Sequence, residues 1–242
     1  MVAALRDGAT VVGGAPGFDA DHGGQVNRIF DLAREFDVDV DIHLNAGATA
    51  DDMDIHQVCD LTDKFGWCAR VAIGHATKYS LLPPAELRTL GQRPAGAGVA
   101  VTVLPATDLF VMGRHQDHSV MRGVADANAL NFSLSTNNVM NPFTPYGECF
   151  LTRMANLYAN VLHRGSDEEL ADCFDMLSSR SARLLRRDGH GIAVGKEADI
   201  IVWDAASPAD AVAKVAHLLF GFKRCRRTFT RARAELHKPG EI

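Results

Sequence analysis

Short runs of apolar and β-branched residues alternate along this chain with longer segments whose apolar residues recur at helical spacing. In residues 24–36, for example, Val26, Ile29 and Phe30 fall on one face of a helix. Strands separated by helices usually lie parallel, because the chain must cross back over the sheet between them. The alternation therefore predicts an α/β fold built from βαβ units. The predicted strands are residues 10–14, 38–43, 69–75, 99–104 and 130–135.

Several of these strands are apolar without strict alternation, as strands covered on both faces usually are. A doubly wound sheet and a (β/α) barrel both satisfy this pattern. Polar side chains at the carboxyl ends of successive strands favour the barrel, because barrel enzymes build their sites at that end. These side chains belong to His43, His75, Asn137 and Asn138.

Several helices are predicted from their termini. Ser166 and Glu169 form a capping box, which predicts one helix continuing to about residue 187. Asp52 is the predicted N-cap of a helix that ends at residue 65, and the proline pair at 83–84 opens a short helix. The remaining predicted elements are helices at residues 147–163 and 207–215 and strands at residues 218–222 and 226–230.

The pattern changes after Asp188, where closely spaced glycines lead into the apolar run of residues 198–204. Such punctuation followed by a β-rich run indicates a separate β unit. We therefore expect two domains: a partial barrel in residues 1–188 and a small β-rich unit in residues 189–242.

Charge and cysteine content limit the kinds of partner and compartment. The net charge of −5 gives no reason to expect nucleic acid or an anionic membrane as a partner, and the basic residues at 223–227 are expected on a solvated strand edge. No apolar run is long enough for a membrane span or a signal peptide. The five cysteines include no CxxC pair, which favours reduced thiols in the cytoplasm.

His43 and His75 end neighbouring strands and are candidate ligands for one metal ion. Neutral imidazole nitrogens suit zinc or ferrous iron. The alternative is that both are ordinary polar residues at the rim of a barrel. Asn137 and Asn138 donate and accept hydrogen bonds but cannot take a proton, and an Asx-type turn explains this pair equally well.

Residues 191–204 resemble the C-terminal signature of the amidohydrolase superfamily, in which the chain leaves the barrel and enters a small β domain. Within the barrel, the match narrows to cytosine deaminases and triazine-degrading hydrolases related to N-isopropylammelide hydrolase. Residues 11–16 resemble their fourth strand, residues 41–43 the fifth, residues 74–77 the sixth and residues 137–143 the eighth-strand motif. The resemblance implies the C-terminal part of a (β/α)8 barrel, about strands 4 to 8, with a small β-rich segment after it.

The resemblance also implies a function. The family uses a metal-activated water to hydrolyse C–N bonds in cyclic amides, amidines and nucleobase-like small molecules. His43 and His75 match metal histidines for one zinc or iron ion, and His75 and Asn137 stand at catalytic positions. Asn138 and Arg114 are expected to contact the substrate ring.

The departures from the family pattern concern the metal and the proton shuttle. No HxH pair occurs in the sequence, and the first barrel strands, which carry that pair, are expected to precede Met1. Ala46 stands where the family has a catalytic glutamate, and Asn137 where it has a metal-binding aspartate. These losses leave fewer than the three protein ligands that catalytic metal sites usually need.

Three interpretations follow. The chain is part of a C–N hydrolase; or it is a catalytically inactive pseudoenzyme that binds a ligand or a partner chain. A half-barrel that pairs with itself or with a partner supplying the missing strands is compatible with either, because an open parallel sheet leaves strand edges unpaired.

Overall fold

The computed structural model describes residues 1–44, 46–47, 49–51, 53–112, 131–235 and 237. The expected α/β architecture is confirmed, with five parallel strands whose spatial order repeats their order in the chain. A three-stranded antiparallel sheet follows them. The parallel strands are β1 Val11–Gly14, β2 Asp39–Leu44, β3 Val71–His75, β4 Val99–Val103 and β5 Phe132–Leu134, and the antiparallel strands are β6 Ile200–Trp203, β7 Leu218–Lys223 and β8 Arg226–Thr230.

The described helices are α1 Val2–Arg6, α2 His22–Phe36, α3 Ile55–Phe65, α4 Pro84–Ala97, α5 Pro105–Met112, α6 Leu151–Val161, α7 Asp167–Asp175, α8 Ser179–Leu184 and α9 Pro208–Ala213. Helices α2 to α5 follow the first four parallel strands in turn, and α9 lies between β6 and β7. Short 3-10 turns follow β1 at Pro16–Phe18 and β3 at Thr77–Leu81. In the described part of the chain, no helix is long and apolar enough to cross a membrane.

Burial alternates along β2 and so separates the two faces of the sheet. Val40, Ile42 and Leu44 are buried in one hydrophobic core with apolar residues of α2 and α3. Asp41 and His43 are exposed on the opposite face. We call this second face the inner face. Because side chains alternate with a period of two, the core that forms on one face fixes which residues reach the other.

Small residues on the neighbouring strands leave His43 accessible on the inner face. The register pairs His43 with Gly74 and Gly74 with Thr102, and Thr102 pairs with Ser133. The Thr102 and Ser133 hydroxyl oxygens lie 2.9 Å apart. At the register position of His43, the inner face is therefore lined by small or polar residues rather than by apolar side chains.

The helix termini partly correct the sequence predictions. The capping box at Ser166 and Glu169 is confirmed, but the single helix to residue 187 is wrong, because α7 ends at Asp175 and α8 begins at Ser179. The Ser178 hydroxyl donates to the Phe174 carbonyl, a local bond that competes with helical pairing.

Other helix predictions differ in extent. Asp52 lies outside the described residues, and α3 begins at Ile55. The helix after the proline pair runs for 14 residues rather than being a short one, with Pro94 inside it near its end. Helix α5, which opens at Pro105 directly after β4, was not predicted.

The C-terminal antiparallel unit packs on helices of the parallel sheet. The Trp203 indole donates to the Thr152 hydroxyl over 3.2 Å, and its ring contacts Phe174 at a centroid distance of 5.1 Å. The Asn156 amide donates to the Val212 carbonyl over 3.0 Å. These contacts attach the unit to α6 and α7, while the domain boundary at residue 188 stays a prediction.

A cluster of ion pairs lies at the amino ends of the strands. The Arg70 guanidinium donates to Asp37 and Asp39 over 2.7 Å each and stacks on Trp67 at 4.6 Å. Arg186, far along the chain, donates to the same Asp39 over 2.9 Å. The cluster joins the segment after α8 to the start of β2.

We predict that Gly13→Ala destabilises the protein, because a methyl group there would lie 1.7 Å from the Asp41 carbonyl oxygen of the neighbouring strand. The Asp41 carbonyl belongs to the paired strand and cannot move aside as a flexible side chain would. The free energy of unfolding should therefore fall by about 1–3 kcal/mol or more in urea denaturation. Gly96→Ala is the matched control, since nothing lies within 4 Å of that position. It should leave stability unchanged or raise it by up to about 1 kcal/mol; equal effects of the two variants would contradict the prediction.

Candidate functional site

Two imidazoles meet at the carboxyl ends of β2 and β3. His43 Nδ1 and His75 Nε2 lie 2.9 Å apart, and the ring centroids are separated by 4.8 Å. The parallel register places His75 beside Leu44, the next residue after His43, and the left-handed φ of 75° at His75 interrupts the alternation that would otherwise turn its side chain to the face of Leu44. The structure therefore brings together the two histidines singled out as metal ligands, while the metal role itself stays a prediction.

The backbone at this edge is strained. His75 and Ala76 have φ values of 75° and 54°, in the left-handed region that residues with side chains seldom occupy. The Ala76 amide donates to the Leu44 carbonyl over 3.1 Å, and Ala76 is fully buried. Residues held in such unfavourable backbone conformations cluster at functional sites in proteins, so this edge is a candidate for one.

A buried carboxylate contacts the histidine pair from α5. Asp108 Oδ1 lies 2.6 Å from His75 Nδ1, and Asp108 Oδ2 accepts a hydrogen bond from the Leu104 amide over 3.2 Å. The Asp108 side chain is 1% exposed, against 12% for His75. Sequence analysis missed Asp108 because it missed α5. The available signal was a proline directly after a strand with an acidic residue in the following turn.

The electrostatic environment favours neutral imidazole at His43. Partial desolvation lowers the pKa of His43, and the neighbouring His75 lowers it further because two imidazolium charges repel. Burial raises the pKa of Asp108, and the hydrogen bond from His75 opposes this shift. Neutral imidazole is the form that binds a metal ion or accepts a proton.

Asn137 reaches the histidine pair, whereas Asn138 is held by its own loop. Asn137 Nδ2 lies 3.4 Å from His75 Nε2, and its φ of 58° is left-handed. Asn138 Oδ1 accepts from Asn141 Nδ2 over 2.6 Å. The Asx-type turn lies at Asn141, whose Oδ1 accepts from the amides of residues 143 and 144. The substrate role of Asn138 stays a prediction, as does that of Arg114, which lies outside the described residues.

The loop after β5 is anchored to α5 by buried hydroxyl groups. Thr107 Oγ1 and Thr144 Oγ1 lie 2.6 Å apart, and both residues are buried. The Asn138 amide donates to Thr107 Oγ1 over 3.4 Å. The helix that supplies Asp108 thus also positions the segment that carries Asn137.

The donors fit one side of a metal site. Two imidazole nitrogens on a tetrahedral zinc ion lie about 3.3 Å apart, so His43 and His75 would need only a small separation. Asn137 adds a neutral donor, and Ala46 offers none. Within the described part of the chain, no group of three or more histidine, cysteine, aspartate or glutamate residues is placed to hold an ion.

One cavity of about 430 Å³ lies away from the histidine pair, at the amino ends of the strands. Its lining includes Asp39, Arg70, Asn131 and Arg187, and neither His43 nor His75. We place the candidate site at the histidine edge, because the chemistry-bearing side chains converge there and the cavity holds no comparable set.

Comparison with known proteins identifies the family. The sequence profile of the Amidohydrolase family matches residues 1–222. The N-isopropylammelide isopropyl amidohydrolase of Pseudomonas sp. (strain ADP) is 24% identical over 212 residues, which cover 84% of this chain and 49% of that protein. The chain thus spans about half the length of the curated relatives it matches.

Solved structures share the fold. A 5-methylcytosine deaminase from Klebsiella pneumoniae matches 100% of this chain and 60% of its own, with a TM-score of 0.92 and 22% identity. An N-isopropylammelide isopropylaminohydrolase from Burkholderia multivorans matches 93% of this chain and 56% of its own, with a TM-score of 0.77 and 22% identity. The five parallel strands therefore correspond to part of the barrel in these longer proteins.

We predict that Thr107→Val loosens the loop after β5, because it removes a buried hydroxyl that contacts Thr144. The free energy of unfolding should fall by about 1–3 kcal/mol. A double-mutant cycle with Thr144→Val measures the coupling, which should be at least about 0.5 kcal/mol. Thr89→Val, on an exposed helix surface, is the control and should change stability by less than about 0.5 kcal/mol. Additive effects of the two buried substitutions would contradict the anchoring role.

Proposed function

Because the chain belongs to the amidohydrolase family, we propose that it forms part of a metal-dependent hydrolase of C–N bonds. The observation that carries this proposal is the approach of His43 Nδ1 to within 2.9 Å of His75 Nε2 at the carboxyl edge of the sheet. Amidohydrolases generally use a divalent metal, and the donor set favours zinc or iron. His43 and His75 would hold one side of this ion.

His75 and Asn137 have different proposed roles beside the metal. A bound metal would supply an acidified water and charge stabilisation. His75 Nε2 has a single lone pair, so it would hold or move a proton only while it is not bound to the metal, and Asn137 cannot accept a proton at all. Asn137 would instead donate a hydrogen bond to the reacting group. Proton transfer by imidazole in place of a carboxylate is the chemical consequence of Ala46 and Asn137.

The proposed substrate is a small nitrogen-rich ring with a hydrolysable C–N bond. The similarity to enzymes named for N-isopropylammelide and 5-methylcytosine supports cyclic amides, amidines and nucleobase-like rings. Asn138 and Arg114 are the proposed ring contacts. The free thiols support a reducing cytoplasm as the compartment, and we propose neither nucleic acid nor a membrane as a partner.

The proposed site requires further βα units. A (β/α)8 barrel closes with eight strands, whereas β1 and β5 each have a neighbour on one side within the described five-stranded sheet. We propose that the remaining units come from a longer polypeptide, from a second copy or from a partner chain. Residues 1–188 would form the barrel part and residues 189–242 the small β domain.

A pseudoenzyme is the second candidate, and the residues at 46 and 137 favour it. Alanine and asparagine there remove the two carboxylates that family chemistry uses. Such a protein would keep the fold and bind a ligand or a partner chain without turnover. Metal content and turnover together separate the two candidates.

We expect the purified chain, dialysed against zinc or ferrous iron, to retain close to one ion, measured by elemental analysis. A His43→Ala, His75→Ala double variant should lose it, because both nitrogen donors are removed. His56→Ala, at an exposed histidine on α3, is the matched control and should retain the ion. Absence of metal from the unmodified chain would contradict a metal site formed by His43 and His75 of this chain.

Turnover is tested on the metal-loaded chain with 5-methylcytosine and N-isopropylammelide, following release of ammonia or amine. Release that disappears in the double variant supports the hydrolase. Metal retention without release from either ring supports the pseudoenzyme.

Self-association through the open edges predicts a sedimentation mass above that of one 26.2 kDa chain at micromolar concentration. Val11→Lys should shift the protein towards monomer, because Val11 is 47% exposed on β1 and charge on an edge strand opposes pairing. Val194→Lys, at a fully exposed turn position, should leave the mass unchanged. A folded monomer before any substitution would rule out self-pairing.

A further inference from the structure

We infer that Asp108 is a positioning residue that fixes the tautomer of His75, with the proton on Nδ1 and the lone pair on Nε2. The functional meaning of this role rests on the proposed function, in which Nε2 binds the metal or accepts a proton. The geometry that supports it does not depend on that function, because it consists of contacts within this chain. Asp108 would act through His75 and would not touch substrate.

The first argument comes from the Asp108 side of the ring. The Leu104 amide can only donate, so Asp108 Oδ2 must accept its hydrogen bond at 3.2 Å. The second oxygen, Oδ1, lies 2.6 Å from His75 Nδ1, a distance typical of a charge-assisted hydrogen bond. The Asp108 side chain is 1% exposed, so solvent does not compete for Oδ1. An ionised carboxylate held in this way requires a donor at Nδ1.

The second argument comes from the opposite side of the ring. Asn137 Nδ2 lies 3.4 Å from His75 Nε2, and an amide nitrogen can only donate. His43 Nδ1 lies 2.9 Å from the same Nε2 atom and can donate when its own proton is on Nδ1. The Asn137 contact therefore requires Nε2 to accept, and the His43 contact is compatible with this. The Asp108 side and the Asn137 side of the ring thus favour the same tautomer.

The arrangement makes Nε2 a better ligand and a better base. A carboxylate that accepts from one imidazole nitrogen orients the ring and raises the basicity of the other nitrogen. Removing such a partner typically weakens metal binding by 10- to 100-fold. His75 has a left-handed backbone with a φ of 75°. The hydrogen bond to Asp108 holds the orientation of its ring.

Asp108→Asn provides a sharp test, because the amide should reverse the tautomer. The Leu104 amide would claim the asparagine oxygen, which turns the NH2 group towards His75 Nδ1. His75 must then accept at Nδ1 and carry its proton on Nε2. The same substitution in the Ser-His-Asp triad leaves the geometry intact and produces the wrong tautomer.

The measurement is long-range ¹H–¹⁵N NMR of the ¹⁵N-histidine-labelled chain at about pH 8, above the ordinary histidine pKa. His75 signals are assigned by their loss in His75→Gln. We expect a protonated Nδ1 in the unmodified chain and a protonated Nε2 in Asp108→Asn. Asp41→Asn is the matched control: Asp41 shares the inner face with His43 but has no hydrogen bond or ion pair among the described residues, so the His75 tautomer should not change.

The outcomes separate this inference from the proposed function. A protonated Nε2 in the unmodified chain overturns the inference even if Asp108→Asn fails to fold. If the chain binds no metal yet shows protonated Nδ1, the positioning role stands and the metal-dependent function fails. If it binds metal, the affinity should fall about 10- to 100-fold in Asp108→Asn and fall less in Asp41→Asn. Equal affinities in the two variants would contradict a role towards the metal.

Discussion

The parallel register between β2 and β3 is the constraint on which the candidate site depends. It pairs His43 with Gly74 and Leu44 with His75, which sets the two histidines one position apart at one edge. The left-handed backbone at His75 then allows the two imidazoles to meet within hydrogen-bond distance. A shift of one residue would move His43 into the helix-covered core and expose Ile42 or Leu44 instead. The register is held by the buried side chains of the opposite face, in which Val40, Ile42 and Leu44 pack against α2 and α3. Packing of the hydrophobic core therefore determines the position of His43 at the site.

Sequence reasoning recovered the features that depend on local pattern. Strand positions follow from apolar runs, and His43 and His75 follow from the rule that polar residues at carboxyl strand ends converge. The capping box at Ser166 was equally local. The helix that carries Asp108 had a signal in the proline after β4, but the importance of Asp108 arises from a contact between α5 and the end of β3, which no spacing in the sequence encodes. The break between α7 and α8 was missed for a similar reason: a capping box marks where a helix begins and carries no information about where it ends.

The distribution of carboxylates distinguishes this site from the family pattern that the sequence resembles. Positions 46 and 137, where carboxylates are expected, hold alanine and asparagine. Among the described residues, the carboxylate bonded to the histidine pair is Asp108, and it lies behind His75 in the protein interior. The charge of Asp108 is thus directed at the His75 imidazole.

The order of the parallel strands has a consequence for how this chain folds. Within the described parallel sheet, each strand pairs only with strands that adjoin it in the chain. The first three pairings therefore each close a loop built around one α-helix, at a small entropic cost. The sheet can therefore assemble one βα unit at a time as the polypeptide leaves the ribosome. The ion pair between Asp39 and Arg186 spans 147 residues and is largely solvent-exposed, so it adds little stability. This ion pair can therefore form after the five strands have already paired.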